Sequence, residues 1–292
     1  MSPWAGGLPP AALARVERQR AGGATGSFLS APGAAAVAAA GLAPVGEVFG
    51  CLVMNLGWSG GFCGAWATTS GPGVWGWTSP VVTTGDPGGL RNGSGPYVRA
   101  VDAAWHGALE RMLTEARALG ADGVVGVRTT RAHLDGSAVE FTARGTAVRE
   151  LARTAPGTLW CAGLSAEDVA AALGSGFAPR ALVRGLSVAT KHEDPLMMQQ
   201  RSSWSGNEVD GLTELLTRAR ADARRGLTLD ARRHGSGHVV VDDVRLGTFE
   251  TQCGDGKDLH AEASFTGTLL TEVGPPGAGR APAVLTVLPL NR

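Results

Sequence analysis

The chain has 292 residues, with 26 basic and 26 acidic side chains and a formal net charge of zero. That balance excludes nucleic-acid binding driven by surplus positive charge, and a hydrophobic content of 43% excludes wholesale disorder. Gly (44) and Pro (16) are frequent enough that part of the chain must be loop or tail.

In chain order, residues 1–26 read as a flexible tail. The apolar run Ala34–Ala43 has the look of a signal h-region. It follows a segment containing Glu17, however, and a related segment recurs mid-chain, so a leader is not expected. No apolar run reaches the roughly 18 residues of a spanning helix, so no membrane span is expected. The Ala-rich stretch Pro32–Ala40 leads into Val45–Met54, a β-branched-rich run of strand length. Residues 57–96 form a Gly/Ser/Thr/Pro-rich insert carrying Trp58, Trp66, Trp75 and Trp77. At roughly 40 residues it is long beside a typical loop of about 4–6. Tyr97–Leu119 spaces its apolar residues at i, i+3, i+4, i+7 and predicts an amphipathic helix of roughly 34 Å, stopped by Gly120. Val124–Thr130 and Ala138–Val148 predict two strands joined by the turn Leu134–Ser137.

The same order follows again. Ser165-Ala-Glu-Asp predicts a capped short helix with acids in its first turn, and Ala181–Thr190 predicts a strand. Leu196–Trp204 stands where the insert stood. A second long helix begins near Val209, with Gly226 as its predicted stop, and His238–Glu250 and Leu259–Val273 predict a second hairpin, with a bulge near Asp242-Asp243. Leu109–Ala118 (LERMLTEARA) and Leu212–Ala221 (LTELLTRARA) share residues position by position, and Gly145-Thr146 and Gly267-Thr268 close the last strands. The pattern predicts an internal duplication. Each unit is a helix laid over a small antiparallel sheet, an α+β layout that leaves open edges and favours pairing with a neighbour. The expected organisation is a tail (1–26), a first unit (27–152), a divergent second unit (158–273) and a Pro/Gly-rich tail (274–292).

At Glu115–Arg128 the chain reads EARALGADGVVGVR, and Val139–Val148 ends in GTAV. These residues resemble the YbjQ-like family, which carries a heavy-metal-binding label. The likeness is specific over Ala116–Val148 and extends back to about Phe28. The second unit lacks the LGAD-x-VVGVR run. The resemblance implies a β-α-β-β unit of the dodecin-like fold, assembled as a ring, commonly a pentamer; a second, divergent unit implies a two-tier or capped ring. It implies no established reaction.

Candidate sites follow from residue chemistry. Cys51, Cys63, Cys161 and Cys253 form no C-x-x-C pair and read as isolated thiols of a reducing cytoplasm. His234 and His238 are four apart, but Gly-Ser-Gly lies between them, so helical metal-ligand geometry fails. His260 and Glu262 share a strand face, and with His234 and His238 they are the candidate ligands for a divalent heavy metal; structurally bonded histidines are the expectation. Glu140 and Glu262 occupy equivalent strand positions, and structural pairing of such a carboxylate with Arg128 or Arg144 is expected rather than catalysis. Gly120, Gly123, Gly145, Thr146 and Gly267 are expected to shape the connections. Trp58, Trp66, Trp75, Trp77 and Trp204 are the candidate partner-binding residues, either plugging an internal seam or docking a partner; the C-terminal tail is a second candidate docking element. The expected function is a non-enzymatic, cytoplasmic, ring-forming assembly or binding scaffold. A metal- or small-ligand-binding module in stress handling, and an enzyme with an inter-subunit site, are the alternatives.

Overall fold

The computed structural model describes residues 7–22, 26–56, 78–86, 94–152, 157–235, 237–253 and 256–273. Their order is α1 (Pro10–Arg20), α2 (Ala31–Ala39), β1 (Leu42–Asn55), β2 (Val81–Thr83), α3 (Ser94–Ala118), β3 (Gly123–Asp135), β4 (Ala138–Glu150), β5 (Trp160–Cys161), α4 (Ala166–Gly174), β6 (Phe177–His192), α5 (Pro195–Arg201), α6 (Asp210–His234), β7 (His238–Cys253) and β8 (Gly256–Glu272). The protein is mixed α+β, with two four-stranded sheets ordered β1-β4-β3-β5 and β2-β6-β8-β7.

The elements α2, β1, α3, β3 and β4 are matched in type and order by α4, β6, α6, β7 and β8, and the two sets share local chemistry. Ser30 and Ser165 cap α2 and α4, each hydroxyl accepting from the backbone N–H three residues on, at 3.0 Å from Gly33 and 3.1 Å from Asp168. β1 pairs antiparallel with β4, and β6 with β8; both pairings slip register just after a proline, at Pro44 and Pro179, where a ladder donor is missing. The bulge expected near Asp242-Asp243 lies between Val241 and Asp243, and its counterpart lies between Val125 and Arg128.

Each long helix crosses its first strand at a glycine. A Cβ on Gly50 would lie 1.9 Å from the Ala108 carbonyl oxygen, and one on Gly185 would lie 1.9 Å from that of Ala223. These contacts make Ala108 the counterpart of Ala223. Glu115 and Asp230 keep the same register, accepting from the backbone N–H groups of Phe49 and Arg184, each at 2.9 Å. The matching blocks Leu109–Ala118 and Leu212–Ala221 therefore sit out of register in space, by roughly three helical turns. Gly226 does not stop the second helix: α6 runs on to His234 and ends at Gly235. Gly226 instead faces Gly185, its Cβ position 3.4 Å from the Gly185 Cα, so the small residue serves helix–strand approach rather than termination.

The predicted N-terminal tail contains α1, whose Val16 is buried in the core under β1 and α3, while Arg15 forms an ion pair with buried Glu115. That core is built on Met112, Phe141 and Val48. In the second half, Leu215, Ala219 and Ala223 of α6 pack in one cluster with Ala261 and Ala263 of β8.

The halves exchange strands. β2, from the first half's insert, pairs antiparallel with β6. β5 pairs parallel with β3. The insert thus contains an element, which its composition did not signal.

Candidate assembly interface and the seam between the halves

β3 and β7 are the third strands of their halves and lie on the same side of their sheets. The outer edge of β3 is covered over Gly123–Val127. Trp160 N–H donates to Asp122 O (3.1 Å), Ala162 N–H to Val124 O (2.9 Å), Val127 N–H to Ala162 O (2.9 Å) and Gly126 N–H to Leu164 O (3.0 Å). Gly123 packs so tightly on the Trp160 indole that a Cβ there would lie 2.1 Å from it. The segment is anchored from behind by Gly163 N–H donating to Thr268 Oγ1 at 2.9 Å.

β7 has no strand on its outer side among the described residues. It carries a run of exposed large hydrophobics, Val240, Val241, Val244 and Leu246, with Val244 51% exposed. Such an edge is a template for another chain. The first-half counterpart of the Trp160–Leu164 segment precedes α2. There Phe28 N–H donates to Thr146 Oγ1 at 3.1 Å, the same contact that Gly163 makes with Thr268. Phe28 is 46% exposed, its ring facing the Arg144 guanidinium at 5.1 Å.

Across the seam inside the chain, Glu262 accepts from Tyr97 Oη (2.6 Å) and Arg131 Nη1 (2.7 Å), and burial pushes the Tyr97 phenol well above its usual range. The expected pairing of this carboxylate with Arg128 or Arg144 is not formed; Arg131 takes it, because Arg131 faces β8 across the seam. Glu140 forms no ion pair with Arg128 or Arg144 and accepts from the Cys51 thiol at 3.1 Å. Arg184 lies over Trp105, 4.1 Å from the ring centroid.

The remaining predicted residues divide clearly. Trp58, Trp66, Trp75, Trp77 and the tail 274–292 lie outside the described residues. Trp204 is fully exposed. Gly120 follows α3 with φ +69°, Gly145 lies against Val124, and Gly267 lies against Val240. The weak metal candidates do not converge. His234 bonds back to Asp230 O (3.0 Å), and His238 faces Glu272 at 3.6 Å. His260 is 1% exposed, held between Thr190 and Thr251 hydroxyls at 2.9 and 2.8 Å and stacked on Phe249. Burial lowers its pKa to about 4.

The structure brings together a different trio, His192, Cys253 and Asp258, with candidate ligand atoms within 4.8 Å of one another. Their separation in sequence hides them; only the β6–β8 pairing and the second hairpin reveal the cluster. They do not fit a thiolate-bound metal, because Cys253 is disulfide-bonded and His192 Nδ1 lies 2.8 Å from Asp258 Oδ1 in an ion-pair contact. The disulfide also corrects the expectation of four isolated thiols. Cys51 and Cys161 are free, but burial raises both pKa values to about 11, so neither is a thiolate at neutral pH.

Residues 89–150, which span α3, β3 and β4, match the YbjQ family, described as "Putative heavy-metal-binding". Over these residues the chain is similar to the YbjQ family. It is 37% identical over 145 residues to an encapsulin nanocompartment protein of Mycobacterium tuberculosis, a match covering 47% of this chain and 55% of that relative. It is 46% identical over 65 residues to a UPF0145 protein of Halorubrum lacusprofundi, covering 21% of this chain and 62% of that relative. No solved structure gives a significant match. The matched residues thus contain β3, while β7 lies beyond them. No helix among the described residues is long and apolar enough to cross a membrane.

Proposed function

We propose that the chain arose by internal duplication of a dodecin-like β-α-β-β unit and works as a non-enzymatic scaffold whose copies join head to tail. One observation carries the reading: the contact that seals the start of β3 inside the chain has a counterpart at both ends of the repeat, at Ser27–Leu29 and at Val239–Asp242, that meets no strand among the described residues. The segment at Ser27–Leu29 of one copy lies along Val239–Asp242 of the next, as Ala162–Leu164 lies along Val124–Val127. Such a contact is heterologous, and it closes into a ring when its rotation permits. Whole two-unit chains supply an even number of units, so a ring of five units is out of reach and five chains would hold ten. The name of the mycobacterial relative fits an assembly role.

Multi-angle light scattering tests this on the full chain. The expected mass is a fixed multiple of 29.8 kDa. Val240→Lys with Val244→Lys, and separately Phe28→Asp, should each give monomers, because either face is needed. These side chains are exposed, so folding stability should change by only about 0.5 kcal/mol. A wild-type monomer at every concentration, or variants retaining the wild-type mass, would refute the proposal.

A further inference from the structure

The seam encloses a cavity of about 430 Å³ between α3, β6 and the C-terminal end of α6, a volume suited to a small organic ligand. Its floor is apolar, made by Trp105, Leu109 and Leu182, while Arg180, Arg184 and Arg233 stand around it. Acids are present too. Glu110 pairs with Arg117 at 3.5 Å, and Asp230 is occupied by the Arg184 backbone N–H and by His234, 3.9 Å away. Arg180, Arg184 and Arg233 have no ion-pair partner within 4.0 Å among the described residues, and none of their guanidinium groups donates a hydrogen bond there. Arg184 is half-buried, and Trp105 covers one face of its guanidinium. A cation–π contact of this kind contributes about 0.5–2 kcal/mol and leaves the edge N–H donors unused. A second cavity, about 240 Å³, shares Trp105, Thr129 and Arg184 with the first, so this guanidinium stands at the partition between two spaces.

We infer that the larger cavity binds a small organic anion, its carboxylate or phosphate held by Arg184 with Arg180 and Arg233 at the mouth, and its apolar body laid on Trp105 and the leucines. Burial lowers the Arg184 pKa only to about 10, so the charge persists at neutral pH. Planar guanidinium edges suit both head groups through paired N–H donors. The site lies within one chain and does not depend on how copies assemble.

The test is calorimetric titration of the full chain with phenyl phosphate, benzoate, inorganic phosphate and neutral benzyl alcohol. Expected is one saturable site per chain for at least one aromatic anion, weaker binding of inorganic phosphate and none of benzyl alcohol. Arg184→Gln should weaken binding at least tenfold. Should that variant fail to fold, Arg180→Gln with Arg233→Gln, both exposed, should weaken it several-fold with an unchanged melting temperature. No saturable binding of either aromatic anion, binding unchanged in the folded variants, or benzyl alcohol binding equally well would overturn the inference.

Discussion

β3 and β7 begin from the same design and end differently. Both follow a long helix, both carry a bulge just after a run of valines, and both end their half's three-strand core. β3 then receives backbone partners from the second half, and Val124 and Val125 are fully buried. Val239–Leu246 receive none among the described residues, and Val240, Val241 and Val244 face solvent. The difference lies in what covers each strand: residues 160–164 lie along β3, and no described segment lies along the outer side of β7.

The cores differ as well, and that difference can be attacked directly. Phe141 is fully buried and meets Trp105 edge-on, with centroids 5.0 Å apart, while Ala263 holds its place four residues before the equivalent glycine. Phe141→Ala should therefore cost about 3–5 kcal/mol in urea unfolding, the largest single-residue effect expected here. A loss below 1 kcal/mol would mean that the first half does not depend on its larger core.

Acid should distinguish the halves next. His260 is neutral when folded, with a pKa near 4 against an ordinary 6.5, and Ala138 stands at its place in the first half. The unfolded chain binds the extra proton, so this contribution is complete above pH 6.5 and is lost as pH falls toward 4, by about 3 kcal/mol. His260→Asn should flatten that portion of the stability–pH curve; an unchanged slope would remove the histidine from the account.

Two further pairs of substitutions should show likeness. Gly50→Ala and Gly185→Ala each force a methyl group against a helix carbonyl, at about 1–3 kcal/mol, and their melting shifts should agree. Unequal shifts would show that the two helices are not seated alike. Smallest are the caps: Ser30→Ala and Ser165→Ala should each cost about 1 kcal/mol, read from the same denaturant curves.

Much of this architecture is legible in the sequence, because periodicity and turn chemistry report local structure. The strand–helix–hairpin order, the stop at Gly120, the N-cap at Ser165 and the bulge at Asp242-Asp243 all follow from neighbouring residues. The misreadings share a cause. Gly226 reads as a terminator only until Gly185, distant in sequence, is placed beneath it. The identical letters of Leu109–Ala118 and Leu212–Ala221 record composition on two alanine-rich helices; the true register is set by where each backbone crosses a glycine. The seam was invisible for the same reason, since Trp105 and Arg184, or Glu262 and Arg131, meet only after both sheets have formed.

The two exchanged strands have a mechanical consequence. The polypeptide leaves the first sheet to lay β2 on the second, returns to build α3, β3 and β4, places β5 on the first sheet's edge, and then builds β6, β7 and β8 of the second. The halves are therefore laced by segments running in both directions, and the peptide joining β4 to β5 is not the tether that keeps them together. Cleavage of that joint would yield two fragments that still migrate as a single folded body. Whatever force pulls one half away must unzip hydrogen bonds at two separate places.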